Sequence, residues 1–502
     1  MRVPTQANPH SLTSKVNLKS SQFYDWLLFF ILFITFGYFY QGGFANLNSR
    51  FDLTLSLAFE KIFSIDTFHQ NTIDKIFYNG HYYSEKAPGT AYLALPIPMI
   101  ASKFLSTSEL IQSPWKSDLL LYLSTLFSVS TLSAAAAVCF RRFLCVLNPK
   151  RTLGESIQIT LALFTGTLIL PYSTILFSHQ IAGSLLIMGA YFGYTAAKES
   201  HPLPLRKAGS AFLLGLAVFV EYPSALLAIA IAFGLWKTTD KKWDLICFLP
   251  FAMIPGIALL VHNSLSFGDP WSLGYGKLQG TQFATQMGQG FFGVSLPSFS
   301  RAIQLLFGRY RGLFFYSPVL VIALFSVWSS RKQENIQFYY TLLLGCAATL
   351  LLNSSYGYWQ GGVCFGPRHL VPIIPALALG LAYIPTHWIK HPVSIAVAFL
   401  SLAINFIGTV TTPFVSEYDT NPMFQSYWQL IKQGAISANP VSFLSPQSEI
   451  GYRWKFLQEF PNASLNLGEL MGLSGWSSLL PLLFFWILFL LRVRALNRNQ
   501  RV

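Results

Sequence analysis

Residues 24–44 read YDWLLFFILFITFGYFYQGGF, a nearly continuous apolar segment with one acidic residue, Asp25, close to its start. With a rise of about 1.5 Å per residue, a helix of this length covers the roughly 30 Å of hydrocarbon in a bilayer. A polar stretch with Lys15 and Lys19 precedes it, and no small-residue cleavage site follows it. The segment therefore predicts a retained transmembrane helix.

The rest of the chain has the same character. Of its 502 residues, 53% are hydrophobic and 11% are charged, and its five cysteines show neither disulfide nor metal-ligand spacing. Such a composition is typical of one helical bundle packed within a membrane. We therefore expect an all-α polytopic protein with about twelve transmembrane helices. The other eleven segments are 117–140, 154–174, 179–197, 208–221, 223–236, 245–262, 313–329, 337–353, 369–386, 392–412 and 476–491.

Basic residues gather on one predicted side of this membrane. The formal net charge is +14, and the segments expected in the cytoplasm hold 20 of the 34 Lys and Arg residues but 6 of the 20 Asp and Glu residues. This is the positive-inside pattern of multi-pass proteins. It predicts a plasma (inner) membrane protein with both termini in the cytoplasm and its working face outside. Because the basic residues are spread over short loops among membrane lipids, a nucleic-acid partner is not expected.

Loop lengths set the predicted organisation. A cytoplasmic tail covers residues 1–23, and a membrane module covers 24–412 with its first outer loop at 45–116. An outer segment at 413–475 precedes a last transmembrane helix and basic tail at 476–502. Apolar spacing predicts a helix on the membrane surface between Arg50 and Phe63, and residues 92–106 predict a half-buried interfacial helix.

The end of the first outer loop carries a charged motif, YSEKAPG at residues 83–89. It resembles the Tyr-Phe-Glu-Lys-Pro-Pro signature of the GT-C glycosyltransferases, a superfamily that includes the lipid A aminoarabinose transferase and the protein O-mannosyltransferases. Two later segments resemble that superfamily in the same order, LGLAVFVEYP at 214–223 and GPRHLVP at 366–372. The resemblance covers roughly residues 24–390.

This resemblance implies a GT-C-like fold and transfer of a sugar from a polyprenyl-phosphate carrier to an envelope acceptor, which is a lipid, polysaccharide or protein. It implies an inverting, metal-independent reaction on the noncytoplasmic face, with no cofactor beyond the lipid-linked donor. Two departures stand out. The usual Asp-Glu opening of the first loop is missing near Arg50, and Glu221 stands where the superfamily often has a phosphate-binding lysine.

The chemistry itself asks for a carboxylate that accepts the acceptor's proton and for cations that stabilise a departing phosphate. Asp74 and Asp52 are the candidate bases. Lys86, Arg50 and Arg368 are the candidate phosphate-binding cations, since each lies outside the membrane close to a predicted entry point.

Further candidates for substrate binding flank these motifs. They are Glu221, His81, Tyr83, His369 and Trp359. An aromatic ring such as that of Trp359 suits stacking on a sugar. The arginine pair Arg309 and Arg311 favours contact with lipid headgroups. No metal-site pattern occurs in the sequence. A multispan transporter or lipid flippase, and a noncatalytic polyprenyl-lipid-binding relative, stay open as alternatives.

Overall fold

The computed structural model describes most of the chain. The described residues are 10–199, 203–239, 242–277, 285, 290, 293–329, 336–436, 443–444 and 466–499. Residues 1–9 of the predicted N-terminal tail lie outside them. So do 437–442 and 445–465, which make up nearly half of the predicted outer segment 413–475.

Helices dominate the described residues, as the composition predicts. The helices before the middle of the chain are α1 His10–Gly37, α2 Ala45–Leu55, α3 Gly89–Ala94, α4 Pro96–Ala101, α5 Thr107–Gln112, α6 Pro114–Thr125, α7 Thr131–Leu147, α8 Leu153–Thr165, α9 Ile169–Tyr172, α10 Ser178–Lys198, α11 Pro204–Val220, α12 Ala225–Thr238 and α13 Lys242–Phe267. The later ones are α14 Phe299–Phe307, α15 Leu313–Tyr316, α16 Val319–Ser329, α17 Ile336–Ser355, α18 Ile374–Ala378, α19 Thr386–Ile389, α20 Pro392–Val410, α21 Trp428–Lys432, α22 Leu467–Leu470 and α23 Leu480–Asn499.

Five helical stretches among the described residues are long and apolar enough to cross a membrane. They are Pro114–Leu147, Ile246–Phe267, Ile336–Ser355, Pro392–Val410 and Gly475–Ala495. Four shorter apolar stretches add to them: Ser21–Gly37, Tyr222–Thr238, Val319–Trp328 and Arg368–Tyr383. The multi-pass architecture is thus confirmed, while the number of twelve spans stays a prediction.

The first outer loop contains a feature that the sequence analysis did not predict, a two-stranded hairpin. Strand β1, Lys75–Tyr78, pairs antiparallel with β2, His81–Ser84. The turn between them is Asn79-Gly80, and both residues have positive φ, 48° and 85°. Asn-Gly is the preferred pair for a two-residue hairpin turn whose central residues are both left-handed. The turn places Lys75 opposite Ser84. Consequently the residues just outside the strands, Asp74 and Glu85, are neighbours.

Helix α2 forms where a surface helix was predicted, but its surroundings differ. All eleven residues from Ala45 to Leu55 are buried inside the protein. Its polar side chains find protein partners: Ser49 Oγ lies 2.8 Å from Ser84 Oγ, and Asn48 Nδ2 donates to the Asn71 carbonyl over 2.9 Å. The helix therefore supports the hairpin rather than lying on a solvated surface.

The segment after the hairpin docks on the end of α11. Gly89 lies so close to α11 that an added Cβ would meet the Phe219 carbonyl oxygen at 2.6 Å. Helix α11 ends at Val220, and a short 3₁₀ turn at Tyr222–Ser224 leads into α12, which confirms the predicted turn around Glu221. This contact brings the charged motif of the first loop next to Glu221.

Candidate functional site

Lys86 is at the centre of the site, where it pairs with two carboxylates. Its Nζ lies 3.0 Å from Asp74 Oδ2 and forms a second ion pair with Glu85 Oε1. The side chains of Lys86 and Glu85 are 6% and 1% exposed, whereas that of Asp74 is 22% exposed. The Asn79-Gly80 turn makes this arrangement possible, because it pairs the two strands so that both carboxylates reach one ammonium group.

The two carboxylates differ in acidity. For Asp74, burial alone would raise the pKa, but Lys86, Arg368 and Arg50 hold it below its ordinary value. For Glu85, burial prevails over the attraction of Lys86, and its pKa rises from 4.5 to about 7. Asp74 is therefore ionised at neutral pH, and Glu85 is the carboxylate of this pair that holds a proton more readily.

Arg50 joins the first loop to the ends of α10 and α11. Its Nη1 donates to Asn46 Oδ1 over 2.5 Å, and its Nη2 donates to Ser178 Oγ over 2.8 Å. The Ser178 hydroxyl in turn donates to Glu221. The Nε atom of Arg50 is buried and has no hydrogen-bond partner among the described residues. The hydrogen bonds of its two terminal nitrogens thus fix Arg50 in place.

Glu221 follows the last residue of α11 and is held by two neighbours. Its Oε2 accepts from Ser178 and lies 3.1 Å from His179 Nδ1. Burial would raise the pKa of Glu221, but His179, Arg50 and Ser178 outweigh it and keep the pKa below its ordinary value. A buried carboxylate is costly without such partners, and here it stays ionised because it has them.

Arg368 is the third cation, and its guanidinium has no hydrogen-bonded partner within the described part of the chain. Arg368 is the first residue of the 3₁₀ stretch Arg368–Ile373 and is only 9% exposed. The guanidinium lies 5.8 Å from the centre of the Phe177 ring, and its buried Nε has no acceptor among the described groups. Its neighbour His369 also has a buried, unpartnered Nε2 there and stacks edge-on against His179 at 5.2 Å. Buried donors without partners are costly, so a ligand that accepts from them would be stabilised.

These groups act on one another electrostatically. The charges of Glu221 and Asp74 act to raise the pKa of Arg50, and that of Arg368 acts to lower it. All three cations act to lower the pKa of Asp74. With every group ionised, the cluster contains three positive charges, on Arg50, Lys86 and Arg368, and three negative ones. We call these six residues, which include Asp74, Glu85 and Glu221, the charged cluster. Of the predicted site residues, the structure brings together Asp74, Lys86, Arg50, Arg368 and Glu221, with His369 beside them.

Asp52, the other predicted base, lies apart from the charged cluster. It is completely buried, and its Oδ1 accepts a 3.0 Å hydrogen bond from Asn71 Nδ2. Burial raises its pKa well above the ordinary value, and the one charged group that acts on it among the described residues is Lys75. Residues two positions apart on a helix point about 200° away from each other, so Arg50 and Asp52 face different sides of α2.

The remaining predicted residues lie at the periphery. His81 is 58% exposed and pairs with Asp66, 2.7 Å from its Oδ2. Tyr83 is half-buried and packs against Phe267, with ring centres 5.4 Å apart. Trp359 packs edge-on against Tyr310 at 6.3 Å. The structure does not place these three side chains in contact with the charged cluster.

Sequence reasoning missed several contributors. Glu85 belongs to the charged motif and could have been found from its position beside Lys86. Ser178 carries no distinguishing signal in the sequence. Arg311 was expected at lipid headgroups but is completely buried, where it donates to the carbonyls of Gln360 and Cys364 over 2.8 and 2.7 Å. It thereby fixes the loop that leads into Arg368.

The described residues contain no group of three or more His, Cys, Asp or Glu side chains placed to hold a metal ion. The carboxylates of the charged cluster already have protein partners: Asp74 and Glu85 pair with Lys86, and Glu221 contacts His179 and Ser178.

Comparison with known proteins gives similarity at the level of structure alone. No family model and no curated protein matches the chain. Among solved structures, the chain is similar to ArnT from Cupriavidus metallidurans bound to undecaprenyl phosphate. The identity is 12% and the TM-score 0.44, over 81% of this chain and 67% of ArnT. The apo form of the same ArnT gives 13% and 0.42, over 85% and 69%.

The oligosaccharyltransferase of Archaeoglobus fulgidus is similar over 78% of this chain and 56% of its own, with 12% identity and a TM-score of 0.43. At these scores the likeness assigns neither a family nor an activity to the chain. The chemistry of the site has to supply the function.

Proposed function

We propose that this protein is a membrane glycosyltransferase that moves a sugar from a polyprenyl-phosphate carrier to an envelope acceptor on the noncytoplasmic face. The observation that carries the proposal is the guanidinium of Arg368, which is buried, has no hydrogen-bonded partner among the described residues, and shares the charged cluster with Arg50 and Lys86. A lipid phosphate supplies the acceptor oxygens that these donors lack.

The three cations have different parts in this scheme. Arg368 offers a planar fork to two phosphate oxygens, and Arg50 offers its unpartnered Nε from a fixed position. Lys86 contributes a compact charge that stabilises the negative charge developing on the departing phosphate. Because these side chains supply the positive charge, the scheme requires no metal ion.

Asp74 is the proposed base. It is ionised at neutral pH, partly exposed, and 3.0 Å from Lys86 Nζ, so an acceptor hydroxyl that approaches it also approaches the phosphate-bound sugar. Asp74 takes the proton as the hydroxyl oxygen bonds to the anomeric carbon and the bond to the phosphate oxygen breaks. Attack opposite the leaving phosphate inverts the configuration of the sugar. Asp52 suits this part less, since its raised pKa favours the protonated acid.

The test uses the purified full-length protein in lipid nanodiscs. Transfer of a radiolabelled sugar from polyprenyl phosphate to membrane extracts is measured alongside binding of polyprenyl phosphate itself. We expect wild type to catalyse transfer, and Arg368→Ala to weaken lipid-phosphate binding roughly tenfold or more by removing charge-assisted hydrogen bonds. Arg206→Ala is the control, since this arginine lies near the start of α11, at the end of the helix opposite Glu221, and pairs with Glu199.

Two outcomes would overturn the proposal. Equal binding of polyprenyl phosphate by wild type and Arg368→Ala would show that the charged cluster is not the phosphate-binding site. Binding without transfer from any polyprenyl-phosphate sugar would favour a noncatalytic lipid-binding protein.

A further inference from the structure

A cavity that shares no lining residue with the charged cluster lies between four helices. It has a volume of about 410 Å³ and is lined by residues of α10, α11, α12 and α13. This size is typical of pockets that bind small molecules or single lipid chains. Small residues on the facing helices create the hollow: Gly193, Ala211, Ala232 and Gly256 all line it. We call it the lipid groove.

The lipid groove runs along the length of α11. It reaches from Lys207 near the start of the helix to Phe219 near its end. Twelve residues of helix correspond to about 18 Å, slightly more than half of the roughly 30 Å hydrocarbon thickness of a bilayer. One acyl chain of a single leaflet therefore has the right length. The exposed flanking side chains Ile229, Leu249 and Met253 are apolar, so the groove opens towards the hydrocarbon of the membrane.

The groove has a charged end. Lys207 lines it, with Nζ 5.8 Å from the ring centre of Phe248, another lining residue. Lys198, Arg206 and Lys237 lie at the same end of the bundle, where α10 and α12 end and α11 begins. The two connections at this end, residues 198–207 and 237–244, contain six Lys and Arg residues against three carboxylates, which gives a formal charge of +3. This end thus favours an anionic headgroup.

We propose that the lipid groove binds one acyl chain of an anionic phospholipid, with the headgroup phosphate against Lys207. The apolar walls contact the acyl chain along its length. The basic end selects an anionic headgroup. This site is separate from the charged cluster and does not depend on the transferase proposal.

Binding is tested with purified, delipidated full-length protein titrated with phosphatidylglycerol or phosphatidylcholine, and bound lipids are counted by native mass spectrometry. We expect wild type to bind phosphatidylglycerol at least fivefold more tightly than phosphatidylcholine. Lys207→Gln should abolish this preference, while Lys150→Gln, in the connection between α7 and α8 and outside the groove, should keep it. Gly256→Phe should lower binding of both lipids at least fivefold, because its Cβ position faces open space and the ring would fill the groove.

Gly209→Phe is the matched control for the filled groove. Gly209 also lies in a helix with open space at its Cβ position, but it does not line the cavity. Ala232→Phe, from α12, fills the same groove if Gly256→Phe does not fold. Unchanged binding in a folded filled variant, or an unchanged preference in Lys207→Gln, would overturn the proposal. So would displacement of the phospholipid by polyprenyl phosphate, which would give the groove to the donor instead.

Discussion

Asp74 and Asp52 are both acids of the first outer loop, yet they have opposite surroundings. Asp74 faces three cations, whereas Asp52 is sealed beside Asn71. We predict that Asp74→Asn lowers the rate of sugar transfer at saturating donor by roughly 10² to 10⁴, the usual contribution of a general base. Binding of polyprenyl phosphate should change little, because the cations remain. Transfer is measured under single-turnover conditions in the purified protein.

Asp52→Asn is the control for this change. The amide oxygen of the introduced asparagine can still accept the hydrogen bond from Asn71 Nδ2. Because Asp52 lies apart from the charged cluster, transfer should stay within a fewfold of wild type. Full activity in Asp74→Asn combined with loss in Asp52→Asn would reverse the assignment of the base.

Glu85 makes the stability of the protein depend on pH. Its pKa rises from 4.5 to about 7 on folding, so the folded state holds this proton over a range in which the unfolded chain has released it. The stabilisation is complete below pH 4.5 and is lost as the pH rises through 7. We predict that the thermal unfolding midpoint of wild type falls between pH 5 and 8, and that Glu85→Gln flattens this part of the profile. The midpoint is followed by tryptophan fluorescence.

Asp74 does not contribute in the same window. Its pKa is lowered on folding, so its stabilisation is present at neutral pH and lost only in acid, below the ordinary pKa of an aspartate. Two parallel profiles for wild type and Glu85→Gln between pH 5 and 8 would contradict the raised pKa of Glu85.

At the scale of elements, the hairpin decides whether the charged cluster forms. Gly80 has a φ of +85°, where a residue with a side chain is strained, although nothing lies within 4 Å of its Cβ position. We predict that Gly80→Ala destabilises the protein by about 1 to 2 kcal/mol and lowers transfer at least tenfold, because a distorted turn separates Asp74 from Lys86. Unfolding midpoints and transfer rates are compared in the same preparations.

Gly434→Ala is the matched control for the hairpin. Gly434 has a φ of +70° and equally open space at its Cβ position, but it follows α21, far along the chain from the hairpin. It should lose similar stability and keep transfer. Equal loss of transfer in both variants would mean that general destabilisation, not the register of the hairpin, controls activity.

The hairpin also shows where sequence reasoning stopped short. Asn79-Gly80 between β-branched and aromatic residues is a strong hairpin signal, but each strand has only four residues within an apolar, helical chain. The spacing of Arg50 and Asp52 likewise places them on different faces of α2, which argues against Asp52 as a partner of Arg50 in one site. Both features could be predicted from the amino-acid sequence.

Other parts of the site depend on packing between distant segments and could not be predicted. Ser178, at the start of α10, connects Arg50 of the first loop with Glu221 after α11, and no local pattern announces this. The burial of Arg311 has the same cause, since its carbonyl partners belong to a loop about fifty residues later. The long apolar helices were predicted well because their hydropathy needs no tertiary context.

At the scale of the whole molecule, the proposed function requires a particular orientation in the membrane. The bias of Lys and Arg predicts that the connection between α10 and α11 faces the cytoplasm and that the segment after α20 faces outside. Leu205 and Tyr418 are suitable reporters, since they lie in these two regions and are 80% and 84% exposed. We predict that a membrane-impermeant maleimide labels Tyr418→Cys in intact spheroplasts, whereas Leu205→Cys is labelled only after permeabilisation.

The native cysteines provide the background for this experiment. Cys139, Cys346 and Cys364 are buried, but Cys145 is partly exposed and Cys247 is exposed, so these two are replaced by Ser before the reporter cysteines are introduced. The reverse pattern, with Leu205→Cys labelled in intact spheroplasts, would place the charged cluster on the cytoplasmic side. A lipid-linked sugar used outside the cell would then be out of its reach, and the proposed reaction would fail on topology even if the chemistry of the site were correct.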